Sequence, residues 1–314
     1  MSKMSTDLVR HALNGPTMGT RWTALFHATP AFDPDVARVA LQAAADEVDA
    51  QMSTWKPGSD LMRLNAASPS RWIDVPAHLM IVLKAALAIG RASGGAFDIG
   101  VGDAVAAWGF GPEATAPERI RAATASRRQP AHEVIELEAG RVRKREPITL
   151  DLNGIAKGYG VDRIAETLAS LGIVSGLVGI DGEMLAMGLR PDGEAWTIAV
   201  ERPDPEARAP HSIIALHDAA VATSGDYRHW VDIGSQRLSH TMDPARGGPL
   251  ITSPASVTVV ARTCAEADAW ATALMVKGSQ EGAPLASRNN LHALFIDRKD
   301  NDLYETGVGW LFEA

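Results

Sequence analysis

An α+β fold is predicted for this chain of 314 residues. Strand-like runs recur along its length, one stretch reads as an antiparallel hairpin, and helical patterns fall between them. The regular strand–helix alternation of a doubly wound sheet is missing. Residues 1–16 are expected to be a flexible terminus on a single domain spanning 1–314. Residues 18–26, with Thr, Trp and Leu in an extended run, open the first strand. Asp33-Pro34 then supplies an N-cap and a proline at the first helical position. The helix that follows runs to about Met52, with Val36, Val39, Ala43 and Val48 as its expected apolar face. A second helix over 76–93 stops at Gly94-Gly95. Residues 132–145 read as a hairpin around Ala139-Gly140. A glycine-bearing loop over 151–160 leads into a helix ending near Leu171-Gly172. Strands are expected at 175–178, 196–200, 213–216, 256–261 and 292–296, with helices at 265–277 and 280–287. The proline-rich stretch 203–210 reads as a surface loop.

Composition narrows the function classes. Lys plus Arg number 30 against 38 Asp plus Glu, a net charge of −8. That balance argues against a general nucleic-acid binder, which must neutralise phosphates, yet it leaves room for a local site for a small anionic ligand. With 46% hydrophobic and 22% charged residues the chain is globular. A single cysteine, Cys264, excludes an intramolecular disulfide and a Cys-rich zinc site. The most apolar stretch, 79–92, is interrupted by Lys84 and Arg91 and is too short for a bilayer span. No apolar signal segment or lipid-anchor cysteine precedes residue 16, so a cytoplasmic protein without a membrane anchor is expected.

Three segments have residues suited to chemistry. In Leu150-Asp151-Leu152-Asn153-Gly154-Ile155-Ala156-Lys157-Gly158-Tyr159-Gly160-Val161-Asp162, glycines permit close backbone approach, and the following helix points free N–H groups toward an anion. The spacing matches neither dinucleotide nor P-loop fingerprints. The plain alternative is a strand-to-helix turn with a surface lysine. Thr263 and Glu266 form a capping box. On the helix so begun, Asp268 and Thr272 share a face. Their hard oxygens suit Mg²⁺ or Ca²⁺ rather than zinc, although an exposed Asp and a back-bonded Thr would look the same. His240, in Ser239-His240-Thr241-Met242-Asp243-Pro244, suits proton transfer near neutral pH, or is a hydrogen-bonded structural histidine. Cys264 falls in the first turn of its helix, a position that lowers a thiol pKa. No Gly-x-Ser-x-Gly elbow or His-Glu-x-x-His motif is present.

The order of these and other motifs resembles a known family. Met18-Gly19-Thr20, Met52-Ser53-Thr54-Trp55, Gly95-Ala96-Phe97-Asp98 and Trp108-Gly109-Phe110-Gly111-Pro112 come first. Asp151 to Gly158, Thr223-Ser224-Gly225-Asp226-Tyr227, His240 to Pro244 and Ala267 to Leu274 follow. Over 18–278 the series is similar to the ApbE family of FAD:protein FMN transferases. The resemblance implies a T-shaped α+β fold with mixed or antiparallel sheets. It also implies a Mg²⁺-dependent enzyme that cleaves FAD, passes FMN to a Ser or Thr of an acceptor protein and releases AMP.

By the same resemblance, Asp268, Thr272 and the Ala156 carbonyl hold the metal, and His240 is the general base. Met18, Trp55, Ala96, Phe97, Asp98, Asn153, Tyr159 and Met242 match FAD contacts, and Lys157 lies toward the departing AMP. Ala271 stands where some relatives carry a second carboxylate, which implies a cation with more water or weaker affinity. Gly179-Ile180-Asp181-Gly182-Glu183 departs from the commoner Gly-Gly-Glu or Gly-Gly-Asp form. Two other readings use the same pocket: an FAD pyrophosphatase giving FMN and AMP, and a non-catalytic flavin-binding protein. The chain lacks an Asp three residues before any Ser/Thr-Gly, so it does not read as its own acceptor.

Overall fold

The computed structural model describes residues 8–126, 128–228, 230–233, 236–300 and 302–312. At its centre is an eight-stranded sheet whose spatial order is also the chain order. The strands are β1 (Val9–Thr17), β2 (Thr20–Ala28), β3 (Gly176–Ile180), β4 (Glu183–Met187), β5 (Ala219–Gly225), β6 (Ser256–Ala261), β7 (His292–Lys299) and β8 (Asp302–Val308). Every neighbouring pair is antiparallel. The class is therefore α+β, with helices inserted between successive strands. Helices α1 (Pro34–Met52), α2 (Ala77–Ala92) and α3 (Ala156–Ser170) fall between β2 and β3, and α4 (Cys264–Arg288) falls between β6 and β7.

β1 corrects the expectation of a flexible terminus over 1–16, because residues 9–16 belong to a strand paired along its whole length with β2. Asn14, Gly15 and Pro16 hide it in the sequence, and an edge strand tolerates a proline that a central one would not. The β1–β2 turn is Met18-Gly19, both left-handed at φ 46° and 73°, as a two-residue hairpin requires.

α1 begins as expected, with Asp33 accepting the Asp35 N–H at 2.9 Å. Its buried face matches the expectation only at Val48. Val36 and Val39 are 57% and 71% exposed, while Ala37, Leu41, Ala44, Ala45, Val48 and Met52 are buried. Small alanines allow the close packing of α1 on α3, which outweighs the larger valines as a guide to the inner stripe. α2 ends at Gly94 and Gly95, both left-handed, with the Gly95 N–H on the Gly90 carbonyl at 2.8 Å. The 135–144 hairpin is present, but residues 132–134 form a short helical turn before it.

Helices α1 and α3 cover the β1–β3 end of the sheet, where Leu41, Ile164 and Leu168 meet Leu13, Trp22 and Phe26. On α4, Ala269, Ala273 and Leu274 share a core with Val257, Val259 and Phe295 of β6 and β7. The antiparallel pair Trp196–Glu201 and Pro210–Leu216 packs with Val221, Val260, Leu294 and Ile296 in a separate cluster. The loop joining that pair is mostly exposed, as expected for 203–210. α4 is broken at Gly278 (φ 69°, ψ 169°), which reconciles it with the two helices expected. Among the described residues no helix is long and apolar enough to cross a membrane.

Candidate active site

The site is built where α3 crosses α4. The Gly158 N–H donates to Asp268 Oδ2 at 3.1 Å. A Cβ on Gly158 would lie 2.3 Å from the Cys264 carbonyl oxygen, so only glycine permits this approach. One turn along α3, Asp162 accepts the Cys264 N–H at 2.7 Å on Oδ1 and the Ala265 N–H at 2.9 Å on Oδ2. Each helix thus supplies the partner the other needs: Asp162 of α3 caps α4, and Asp268 of α4 accepts a free N–H in the first turn of α3. Thr263 completes the cap by accepting the Glu266 N–H at 3.2 Å.

Thr272 follows Asp268 by one turn, and its hydroxyl lies 3.4 Å from Ser224 Oγ on β5. The glycine loop closes over it: a Cβ at Gly154 would stand 3.0 Å from Thr272 Oγ1 and 3.2 Å from the Phe97 ring. Ala156, buried at 8% exposure, lies two residues before Gly158. The loop leading into α3 thus lies against Asp268 and Thr272 of α4, through Gly158 and Gly154. Burial and the nearby Glu183 push Asp268 above the usual carboxylate range, against the pull of Lys157 and the Gly158 N–H. Asp181, Glu183 and Asp268 outnumber Lys157 in charge, and one carboxylate with neutral oxygens is a donor set for a hard divalent cation. The residues fit Mg²⁺. Among the described residues no three His, Cys, Asp or Glu side chains gather as a metal cluster.

Lys157 projects from the same turn. Its ammonium donates to Glu183 Oε1 at 2.8 Å and reaches Asp181 Oδ2 at 3.5 Å. Burial alone would lower its pKa, but Glu183, Asp268 and Asp181 outweigh that and raise it. Glu183, Asp162 and Ser224 were not among the residues expected at the site. The Asp181-Gly182 pair is a strong hairpin signal that places Glu183 at the start of β4.

Met18, Ala96, Phe97, Ala156 and Tyr159 share one apolar cluster, and Met18 Cε lies 3.3 Å from the position a Gly160 Cβ would take. The Tyr159 hydroxyl and His78 Nδ1 are 2.7 Å apart, and burial pushes the phenol up to about 12. Trp55 is separate in character, 60% exposed just beyond α1. The Asp98 carboxylate already accepts the Gly100 N–H at 2.8 Å and the Ala131 N–H at 3.1 Å, and burial raises its pKa against them. Asn153 is exposed, with its amide on Asp151 Oδ2 at 3.1 Å.

His240 and Met242 lie against another apolar cluster. The His240 ring stands edge-on to Phe110 at 6.3 Å, and Met242 is buried with Ala104, Val105 and Ala107 against Trp108 and Phe110. Trp108 Nε1 donates to the Gly247 carbonyl at 3.2 Å, tying this cluster to the loop after Asp243. For Cys264 the structure reverses the expectation: burial raises its thiol well above the ordinary value, outweighing its place in the first helical turn.

The buried carboxyls have a consequence for stability. Burial pushes Asp162 up to about 7 and Asp151 up to about 6, from an ordinary 3.8. A folded-state pKa raised in this way means that the native state holds protons the unfolded chain has released. The stability is fully present below the unfolded value and is lost as pH rises through the folded one. The expected result is that the stability gap between the wild type and Asp162→Asn narrows from pH 5 to pH 8 in thermal melts. A constant or widening gap would show that Asp162 is not held protonated.

The fold and this crossing define an α+β protein with a buried carboxylate where two helices meet, beside an apolar cluster. The ApbE family model matches residues 18–295. The chain is similar to the FAD:protein FMN transferase of Vibrio cholerae serotype O1, 37% identical over 298 residues, covering 93% of this chain and 89% of that protein. It is 32% identical over 310 residues to the protein of the same name from Escherichia coli K12, covering 96% and 88%. The solved flavin transferase ApbE from Vibrio cholerae has a TM-score of 0.86 at 34% identity, covering 96% of this chain and 98% of that one. The apo form of the Pseudomonas stutzeri flavinyl transferase ApbE also scores 0.86, at 33% identity, covering 100% and 99%. The chain belongs to the ApbE family.

Proposed function

We propose that this protein is a Mg²⁺-dependent FAD:protein FMN transferase. It breaks the pyrophosphate bridge of FAD, joins FMN through a phosphoester to a Ser or Thr hydroxyl of an acceptor protein, and releases AMP. The observation that carries this reading is the α3–α4 crossing, where the Asp268 carboxylate is held by the Gly158 N–H at 3.1 Å with Thr272 one turn further on. The named relatives support the same reaction. When bound there, Mg²⁺ supplies neutralising charge for the pyrophosphate and makes its phosphorus a better electrophile.

The chain's own residues supply the rest. Asp268, Thr272 and the Ala156 carbonyl are the cation's donors. The half-buried Met18 and the exposed Trp55 offer apolar surface for the planar rings, with Phe97 and Tyr159 in the core that Met18 packs against. His240 takes the acceptor hydroxyl's proton while that oxygen bonds to the FMN-side phosphorus. The phosphorus–oxygen bond to AMP breaks, and AMP leaves with the electron pair.

Incubation with FAD, Mg²⁺ and a peptide of the form Asp-x-x-Ser/Thr-Gly-Ala-Ser/Thr is expected to yield a fluorescent peptide. Its mass gain should equal FMN less water and survive denaturation. Free FMN and AMP formed at a rate the peptide leaves unchanged would instead identify an FAD pyrophosphatase. No turnover at all would leave a flavin binder.

A further inference from the structure

The Lys157 ammonium is spoken for by two carboxylates that lie at the tip of the β3–β4 hairpin. That hairpin turns on Asp181 and Gly182, both left-handed at φ 54° and 117°, and pairs Ile180 with Glu183. Glu183 is 5% exposed. One carboxylate oxygen takes the Lys157 N–H at 2.8 Å, while Oε2 is buried without a hydrogen-bond partner. A carboxylate is kept in such a place only if its charge is matched, and Lys157 matches it.

Lys157 is flanked in sequence by Ala156 and Gly158, the two residues whose backbone groups serve the Asp268 centre. An ammonium on a four-carbon stem is ordinarily free to wander. Pinned to a buried carboxylate on β4, it ties the first turn of α3 to the sheet. Together with the Asp162 cap on α4, this holds the α3 backbone and the Asp268 side chain in register.

We propose that Glu183 is a positioning residue for the cation centre: through Lys157 it braces the backbone of 156–158 against Asp268. The inference rests on the reading of Asp268, Thr272 and the Ala156 carbonyl as the cation's donors. It also gives Lys157 a different employment from contact with the departing AMP.

The test uses Mn²⁺ binding to the full-length protein without FAD, followed by the electron paramagnetic resonance of free Mn²⁺. Outer-shell partners of metal ligands typically matter by about 10–100-fold in affinity, and that weakening is expected for both Glu183→Gln and Lys157→Gln. The lysine variant separates bracing from simple electrostatics. Removing a nearby positive charge would by itself tighten Mn²⁺ binding, so tighter or unchanged affinity in Lys157→Gln overturns the proposal. So does affinity within twofold of wild type in Glu183→Gln. If Glu183→Gln does not fold, Lys157→Gln alone decides the matter. Asp268→Ala is the control on the underlying reading: Mn²⁺ bound normally by that variant means the donor set is wrong. Lost binding there with normal binding in both brace variants means only the brace is wrong.

Discussion

Replacing His240 with alanine is expected to cut FMN transfer by about 10²–10⁴-fold, the usual contribution of a positioned general base. FAD affinity should stay close to that of wild type, because a general base acts on the proton of the acceptor hydroxyl and not on FAD itself. In the proposed reaction the oxygen donors are those of the α3–α4 crossing, while His240 is carried by residues 102–111 and 241–250. Single-turnover transfer to the acceptor peptide, measured beside FAD fluorescence quenching, reads the two effects separately. Turnover unchanged in His240→Ala would remove the imidazole from the chemistry. Transfer and FAD binding lost together would make it a structural residue.

Gly158→Ala is expected to be the most damaging single-methyl change at the crossing. In an ordinary helix interior the exchange would stabilise by about 1 kcal/mol. Here the new Cβ would lie 2.3 Å from the Cys264 carbonyl oxygen, 2.6 Å from its carbon and 2.9 Å from Ala265 Cα. All three are backbone atoms of α4, so no side-chain rotation relieves the clash. Overpacking typically costs about 1–3 kcal/mol, and a backbone obstacle puts this site at the upper end. The clash therefore outweighs the propensity gain, and the helices must separate. Separation pulls the Gly158 N–H from Asp268, so a lower melting temperature and weaker Mn²⁺ binding should appear together. A variant that melts as wild type does and binds Mn²⁺ equally would mean the close approach is not required.

Much of this arrangement is legible in the sequence where a local rule has no competitor. Asp33-Pro34 started α1, Gly94-Gly95 ended α2, and Thr263 with Glu266 opened α4 as expected. In each case the signal is a backbone requirement that a short side chain or a glycine meets directly. β5 was harder to read, because its Ala-Ala-Val-Ala-Thr-Ser-Gly run is poor in branched and aromatic residues. β8 is a largely exposed edge strand, with only Val308 buried along it. In α1, Val36 and Val39 point outward, because packing against α3 selects for small volume.

The site shows the same division. Asp268 and Thr272 could be paired from helical spacing alone. Glu183 and Ser224 reach the site from strands distant in sequence, and only the folded sheet brings them to Lys157 and Thr272.

A sheet whose strands follow the chain in order leaves its first and last strands, among the described residues, unpaired on one side. Open rims of this kind invite other chains to add on, and their composition discourages it: Arg10 and Pro16 on one rim, Asp302 and Glu305 on the other. β8 is thus a guard as well as a strand. Beneath it, β7 presents Ala293, Leu294, Phe295 and Ile296, none more than 4% exposed. A chain cut short before Asp302 would present that apolar strand as a template for self-association, although every residue assigned to the chemistry would still be there.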